Sequence, residues 1–305
     1  MKTPLKQTEH DSIAAAMHIV ALAAIARAKT WLPGELAFQG GTALHLAYGS
    51  PRYSEDLDFM AKSDAGLARI ARSASAQIQS AMALMYPGSI VSVKARDADA
   101  GEPRNPRMFT FTFTPSADRL GSVKVRLEFW VSEYTDRYRT TAKTLAVPAL
   151  RSLDVRVAPA RVYSALMQTG TLSEILVDKV LALACREYPK PRDIFDLWLI
   201  LGTSTTRPDD GELWSAAIER HAQMYQSPPV KEFPQRLRDR AAWFATPEGR
   251  QSAITDLKRW LSGANLADEV IGTMIDHVLE KINGIADQIN AEISVPRSKP
   301  GIKRR

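Results

Sequence analysis

The sequence predicts an α+β chain: a mixed-sheet α/β domain over residues 1–165, a helical domain over residues 166–295, and a basic tail, 296–305, expected to be disordered. Three observations carry this. Polar and apolar residues alternate at period two between Ile90 and Val131, as strands with one buried face require. Earlier, the pair Gly40-Gly41 joins a short apolar run to a helical stretch, a strand-turn-helix arrangement. Beyond Leu166 the alternation stops and helical spacing broken by prolines replaces it. At 305 residues the chain also exceeds the usual size of a single hydrophobic core.

Each element follows from local residue chemistry. Residues 11–29 space Ala, Ile, Leu and Val as in a helix; the apolar stretch 13–28 is broken by His18 and Arg27 and reads as the amphipathic helix of a soluble protein, ended by Pro33-Gly34. A short buried strand is expected over 36–38, a helix over 42–48, a strand over 56–60, and a long Ala-rich helix over 64–86 closed by Pro87-Gly88. Strands follow at 90–94, 108–114 and 123–131, with a Gly- and Pro-bearing loop over 98–107. In the second half Thr171 to Glu174 has the spacing of a capping box opening a helix to residue 188, which Pro189 and Pro191 break. Asp193 has the chemistry to cap a helix over 194–201, and helical spacing recurs at 213–225, 230–244, 249–261 and 267–293.

Composition is that of a globular protein, 45% apolar and 24% charged. One cysteine, Cys185, rules out an internal disulfide framework and suits a reducing cytoplasm. No signal-peptide pattern and no run of about eighteen apolar residues is read, so no membrane partner is expected. Net charge is +6, and cations crowd the stretch from Arg104 to Arg161, among them Arg107, Arg119, Lys124 and Arg126. They describe either solvated strands and loops or an RNA-facing groove in which Phe109, Tyr134 and Tyr138 stack on bases.

Chemistry concentrates between Phe38 and Met60. Gly40 and Gly41 permit a tight turn that exposes backbone N–H groups at the positive end of a helix, with the Thr42 hydroxyl beside them: a seat for phosphate. Asp56 and Asp58, two apart on a strand, share one face while Leu57 and Phe59 take the other. Two carboxylates side by side repel, and a cation relieves them; Mg²⁺ suits a site that also holds phosphate oxygens. Glu128 alternates out of an apolar strand face and shares its side with Arg126. Lys179 borders the apolar stripe of its helix through Ile175 and Leu176, so it needs an anionic partner. Arg52, four residues before Asp56, pairs either with phosphate or with Glu55. The histidines show no metal-ligand spacing, so no zinc site is expected.

The stretch GGTALHLAYGSPRYSEDLDF, together with the block from Ser173 through Lys179 to Arg192, Asp193 and Asp196, resembles the AbiEii/AbiGii toxin family. These are nucleotidyltransferase-like toxins of bacterial toxin–antitoxin and phage-defence systems, the MenT toxins among them. The resemblance implies a polymerase-beta-like nucleotidyltransferase domain followed by a helical domain that supplies a Lys/Arg-Asp motif. It implies catalytic roles for Asp56, Asp58, Glu128, Lys179 and Asp193, metal ligation by Asp56, Asp58 and Glu128, and NTP binding by Gly40, Gly41, Thr42, Arg52, Lys179, Arg192 and Asp196. Asp193 also serves as a helix cap in the reading from residues, and Asp196 is either the last acid of the motif or the third position of that cap. The implied reaction moves a nucleoside monophosphate from an NTP, with one or two Mg²⁺ ions, to an acceptor. The tRNA 3′ end is the first choice, blocking translation, with an AbiEi-like antitoxin encoded nearby. The alternatives are transfer to a protein or small molecule, or an NTP-binding toxin without catalysis.

Overall fold

A computed structural model of the chain describes residues 2–96, 106–145, 165–203, 205, 207–225, 227–261 and 266–295. The expected basic tail, most of the expected 98–107 loop, and Arg104, Arg151, Arg156 and Arg161 lie outside the described residues. The chain divides into two compact units, residues 1–171 and 172–305.

In chain order the first unit contains β1 (Thr3–Pro4), α1 (Gln7–Arg27), β2 (Leu36–Gln39), α2 (Gly40–Tyr48), β3 (Asp56–Ala61), α3 (Leu67–Met85), β4 (Ile90–Ala95), β5 (Arg107–Thr114), β6 (Arg119–Leu120), β7 (Val123–Val131), β8 (Thr140–Leu145) and β9 (Ala165–Gly170). Seven strands form one sheet in the order β4-β5-β7-β3-β2-β9-β8. The pairs β3–β7 and β2–β9 are parallel and the others antiparallel, which is the mixed sheet the alternation predicts. Leu57, Phe59, Phe111, Phe113, Val125, Leu127 and Phe129 are buried on one face. The rings of Phe38, Phe59 and Phe129 follow one another across the strands with centroids 5.2 and 5.1 Å apart. Each such ring contributes about 2–3 kcal/mol by leaving water. Helix α1 packs on β7 and β9, and α3 packs on α1 and β4.

Two expectations for this unit need correction. Helix α1 is not amphipathic: every residue from Ile13 to Ile25 is buried. Its alanines let neighbours approach from all sides, and its one polar intruder, His18, donates through Nε2 to the Glu55 carbonyl at 2.9 Å. Among the described residues α1 is the helix long and apolar enough, by length and composition, to cross a membrane; most of that stretch is inside the unit. Strands also continue past the point where the alternation fades. β8 is a Thr-rich strand at one end of the strand order, and β9 buries Ala165, Met167 and Thr169 while exposing Leu166, so neither displays the apolar pattern of β7.

The second unit is helical, as expected: α4 (Leu172–Cys185), α5 (Arg192–Leu201), α6 (Trp214–Tyr225), α7 (Phe233–Ala245), α8 (Pro247–Trp260) and α9 (Asp268–Ser294). α9 packs against α5, α6, α7 and α8. Its stripe Ile271, Met274, Ile275, Val278, Ile282, Ile285 and Ile289 is buried at the three-and-four spacing of an amphipathic helix. Glu174, expected in a capping box, sends its carboxylate to Arg220 at 2.7 and 2.8 Å and to His221 Nε2 at 2.8 Å. The N-cap of α5 is Pro191, so Asp193 lies in the first turn and not at the cap. Both acids are buried beside cations.

Candidate active site

The glycine turn between β2 and α2 is where the first unit gathers its chemistry. Gly40 has a φ of 76°, in the left-handed region. A Cβ there would fall on the Asp58 carboxylate, and one on Gly41 would fall on the Arg52 guanidinium. Close approach disfavours a side chain at both glycines, and at Gly40 the left-handed backbone does so as well. Helix α2 begins at Gly40, two residues earlier than expected, because the turn and the first helical residues are the same.

Thr42 is fully buried, and its hydroxyl donates to the Asp56 carbonyl. The bond ties α2 to the acidic strand and engages the hydroxyl expected to reach phosphate. Arg52 is 1% exposed and donates through its guanidinium to the Tyr53 carbonyl at 3.0 Å. It lies under the turn, away from bulk solvent. A buried cation behind a helix N-terminus adds to the positive potential of that end, so the turn favours an anion in front of it. The Asp58 carboxylate already lies against Gly40.

The acids come together through strand register. Across the parallel β3–β7 pair Asp56 stands opposite Arg126 and Asp58 opposite Glu128. All four are half-buried side chains on one face of the sheet. Arg126 holds Asp56 with both forks, Nε to Oδ1 at 2.7 Å and a terminal nitrogen to Oδ2 at 2.6 Å, and approaches Glu128 at 3.9 Å. The hydrogen bond to Asp56 raises the arginine's pKa further, although burial opposes it. The contact between Arg126 and Glu128, which the sequence places on one strand face, is therefore the longer arm of a clasp on Asp56 that the sequence did not reveal.

Behind Asp56 sits a second group that sequence reasoning missed. His18 stacks on Tyr53 with ring centroids 5.8 Å apart, and His45 meets the same ring edge-on at 6.3 Å. Burial drives the His18 pKa down to about 4, against the pull of the Glu55 carbonyl and Asp56. Burial raises that of the Tyr53 phenol, aided by Asp11, Glu55 and Asp56. Among the described residues the buried Tyr53 hydroxyl has no hydrogen-bond partner.

In the second unit Lys179 is 7% exposed, and its ammonium lies 3.0 Å from Asp193 and 2.6 Å from Asp196. Arg186 also pairs with Asp193. The anionic partner that Lys179 needs is thus supplied by α5. Arg192 packs its guanidinium on the Trp260 ring, 5.2 Å from the centroid, and Arg259 lies 5.5 Å from the same ring.

Several cations of the first unit are committed to partners. Arg107 pairs with Asp64 at 2.5 Å, Arg119 with Glu9 at 2.8 Å, and Arg137 and Lys143 lie over Tyr134 and Tyr48. Phe109 and Tyr138 are buried, which removes them from the expected set of base-stacking residues.

Among the described residues no three His, Cys, Asp or Glu side chains form a ready-made metal cluster. The donor chemistry of Asp56, Asp58 and Glu128 nonetheless fits Mg²⁺: three carboxylates share one sheet face, and a cation, Arg126, is already drawn in among them.

Residues 25–259 match the model of a family described as nucleotidyl transferase AbiEii toxin, type IV TA system. Among solved structures the chain is similar to the crystal structure of JHP933 from Helicobacter pylori, with 15% identity, a TM-score of 0.50, and 94% of this chain and 97% of that chain covered. It is similar also to MenT4, nucleotidyltransferase toxin Rv2826c from Mycobacterium tuberculosis H37Rv, with 11% identity, a TM-score of 0.51, and 93% and 95% covered. At these identities the likeness establishes the fold. No curated protein matches.

Proposed function

Because the chain belongs to the nucleotidyl transferase AbiEii toxin family, we propose that it transfers a nucleoside monophosphate from an NTP to the 3′ end of tRNA in the cytoplasm and so stops translation. The observation that carries this reading is the set of three carboxylates, Asp56, Asp58 and Glu128, on one sheet face beside the Gly40 turn. The backbone N–H groups of Gly40 and Gly41, reinforced by buried Arg52, receive the triphosphate. Asp56, Asp58 and Glu128 hold Mg²⁺, which when bound neutralises charge on the transferred phosphoryl group and the departing pyrophosphate. Glu128 accepts the proton of the acceptor hydroxyl as its oxygen bonds to the α-phosphorus and the bond to pyrophosphate breaks. Arg126 restrains Asp56 and balances its charge. Within the second unit, Asp193 and Asp196 hold Lys179 in place. The type IV toxin–antitoxin description of the family points to an antitoxin as the protein partner.

The test is incubation of the protein with Mg²⁺, total tRNA and each α-labelled NTP, with the RNA resolved by length. Labelled, lengthened tRNA is the expected result. Label in protein alone, or shortened RNA, would replace this reading by protein modification or by a nuclease. Asp58→Asn and Glu128→Gln are expected to lower transfer by about a hundredfold or more while the protein stays folded. Transfer that survives both would show that the carboxylates are not its site.

A further inference from the structure

The strand register extends the acidic row outward into a surface of different character. From Asp56 it runs through Arg126 on β7 and Thr110 on β5 to Lys94 on β4. A second row, one step along the strands, runs from Lys124 on β7 through Thr112 on β5 to Ser92 on β4. These residues share the sheet face opposite to the one that buries Phe111, Val125 and Leu127. Ser92, Lys94 and Lys124 are exposed, and Thr110 and Thr112 are half-buried. At about 4.8 Å between neighbouring strands, Lys94 stands about 14 Å from the acidic strand.

The chemistry of this face is one-sided. It offers ammonium groups and hydroxyls, with no carboxylate among the two rows until Asp56 is reached, where Arg126 is already neutralised. The side chains on the middle strand are short, so a polymer backbone can approach the sheet closely. Hydroxyl and ammonium donors suit phosphodiester oxygens, and no exposed aromatic stands among them to grip a base.

We infer that the polar face of β4, β5 and β7 is the track along which the single-stranded 3′ end of an RNA lies, held by its backbone, with its terminal hydroxyl delivered toward Glu128. The inference rests on the transferase reading for that last step; RNA binding by the face stands apart from it. A few nucleotides span the distance from Lys94 to the acids. Because the grip is on phosphates, affinity is tolerant of sequence and falls steeply with salt.

The experiment uses the full chain. Affinity for a labelled single-stranded RNA of mixed sequence and for total tRNA is measured by fluorescence anisotropy over a range of salt. The proteins are wild type, Lys94→Ala/Lys124→Ala, Lys94→Glu/Lys124→Glu, and Thr110→Val/Thr112→Val, which keeps β-branched residues in the strand. Melting curves confirm that each variant folds, and NTP affinity is read in parallel. Removing two phosphate contacts lowers the slope of log affinity against log salt by about 1.4, at about 0.7 per contact for a single strand. The charge-reversed variant loses at least tenfold in RNA affinity at low salt, with NTP affinity unchanged. RNA affinity and slope equal to wild type in every variant overturn the inference, whatever protein the face is then found to bind; if wild type still lengthens tRNA, the transferase reading survives. Loss of RNA affinity in the variants, in a protein that lengthens no RNA, keeps the surface and removes the transferase. A wild type that binds no RNA overturns the surface.

Discussion

Lys179→Met keeps the aliphatic stem and removes the ammonium from two carboxylates whose side chains are 1% and 0% exposed. Arg186 still reaches Asp193 after the change, while Asp196 loses its contact with the ammonium. Breaking a buried ion pair from one side costs about 3–5 kcal/mol, most of it the burial of an uncompensated charge. At about 2.1 cal/mol/K of unfolding entropy per residue, the roughly 130 residues of the second unit carry about 0.3 kcal/mol/K. A loss of about 3 kcal/mol then lowers the melting temperature by about 10 °C if that unit unfolds alone, or by about 5 °C if the whole chain unfolds together. Far-UV circular dichroism follows this directly, since the second unit is helical. Lys179→Met/Asp196→Asn is expected to recover at least half of the loss, because it also removes the buried carboxylate that faced the ammonium. A single variant that melts within about 2 °C of wild type would refute the anchoring role of the ammonium. A double variant restored in stability but not in NTP affinity would separate contact with the triphosphate from anchoring.

Gly40→Ala adds strain of about 1–2 kcal/mol from its left-handed backbone and drives a methyl onto Asp58, so transfer falls while the fold persists. Gly49→Ala carries the same backbone strain with open space around its Cβ and serves as the control that keeps activity. Two buried histidines give stability opposite slopes with pH. For His18 the folded pKa is depressed to about 4 by burial, so stability is lost as pH falls from the ordinary histidine range toward that value. Burial opposes the charge on His221, but Asp178 and Glu174 prevail and raise its pKa, so its contribution is full at lower pH and lost as pH rises past the ordinary range. Burial likewise opposes ionisation of Glu174, yet His221 and Arg220 bring its pKa down to about 2, which adds a loss of stability as pH falls toward that value. Urea unfolding across pH, with His18→Gln and His221→Gln, should flatten the acid and alkaline limbs respectively.

What the sequence makes legible is what neighbours along the chain decide. The Gly40 turn, the shared face of Asp56 and Asp58, and the alternation of β7 are all local, and each stands in the structure. The clasp of Arg126 on Asp56 joins residues 70 apart, and nothing in either strand's pattern sets the register that makes it. The same holds for His18 beneath Tyr53 and for Glu174, whose partners Arg220 and His221 arrive on another helix. Asp193 carries the local signal of a helix cap, yet Pro191 takes that position and the carboxylate is buried against Lys179. Helix α1 differs for a related reason: His18 marks a polar side in the sequence, but in the fold it is buried and bonded to the Glu55 carbonyl.

That enclosure imposes an order on synthesis. Helix α1 leaves the ribosome before β7 and β9, on which it packs, and β9 ends at Gly170. At about 5–20 residues per second, a helix with an alanine-rich apolar middle waits roughly 7–30 s for the strands that shelter it. During that interval the nascent chain displays a binding site for chaperones and a nucleus for aggregation. Yield of the intact chain is therefore expected to respond to the pace of translation and to holdase supply as well as to the stability of the finished fold.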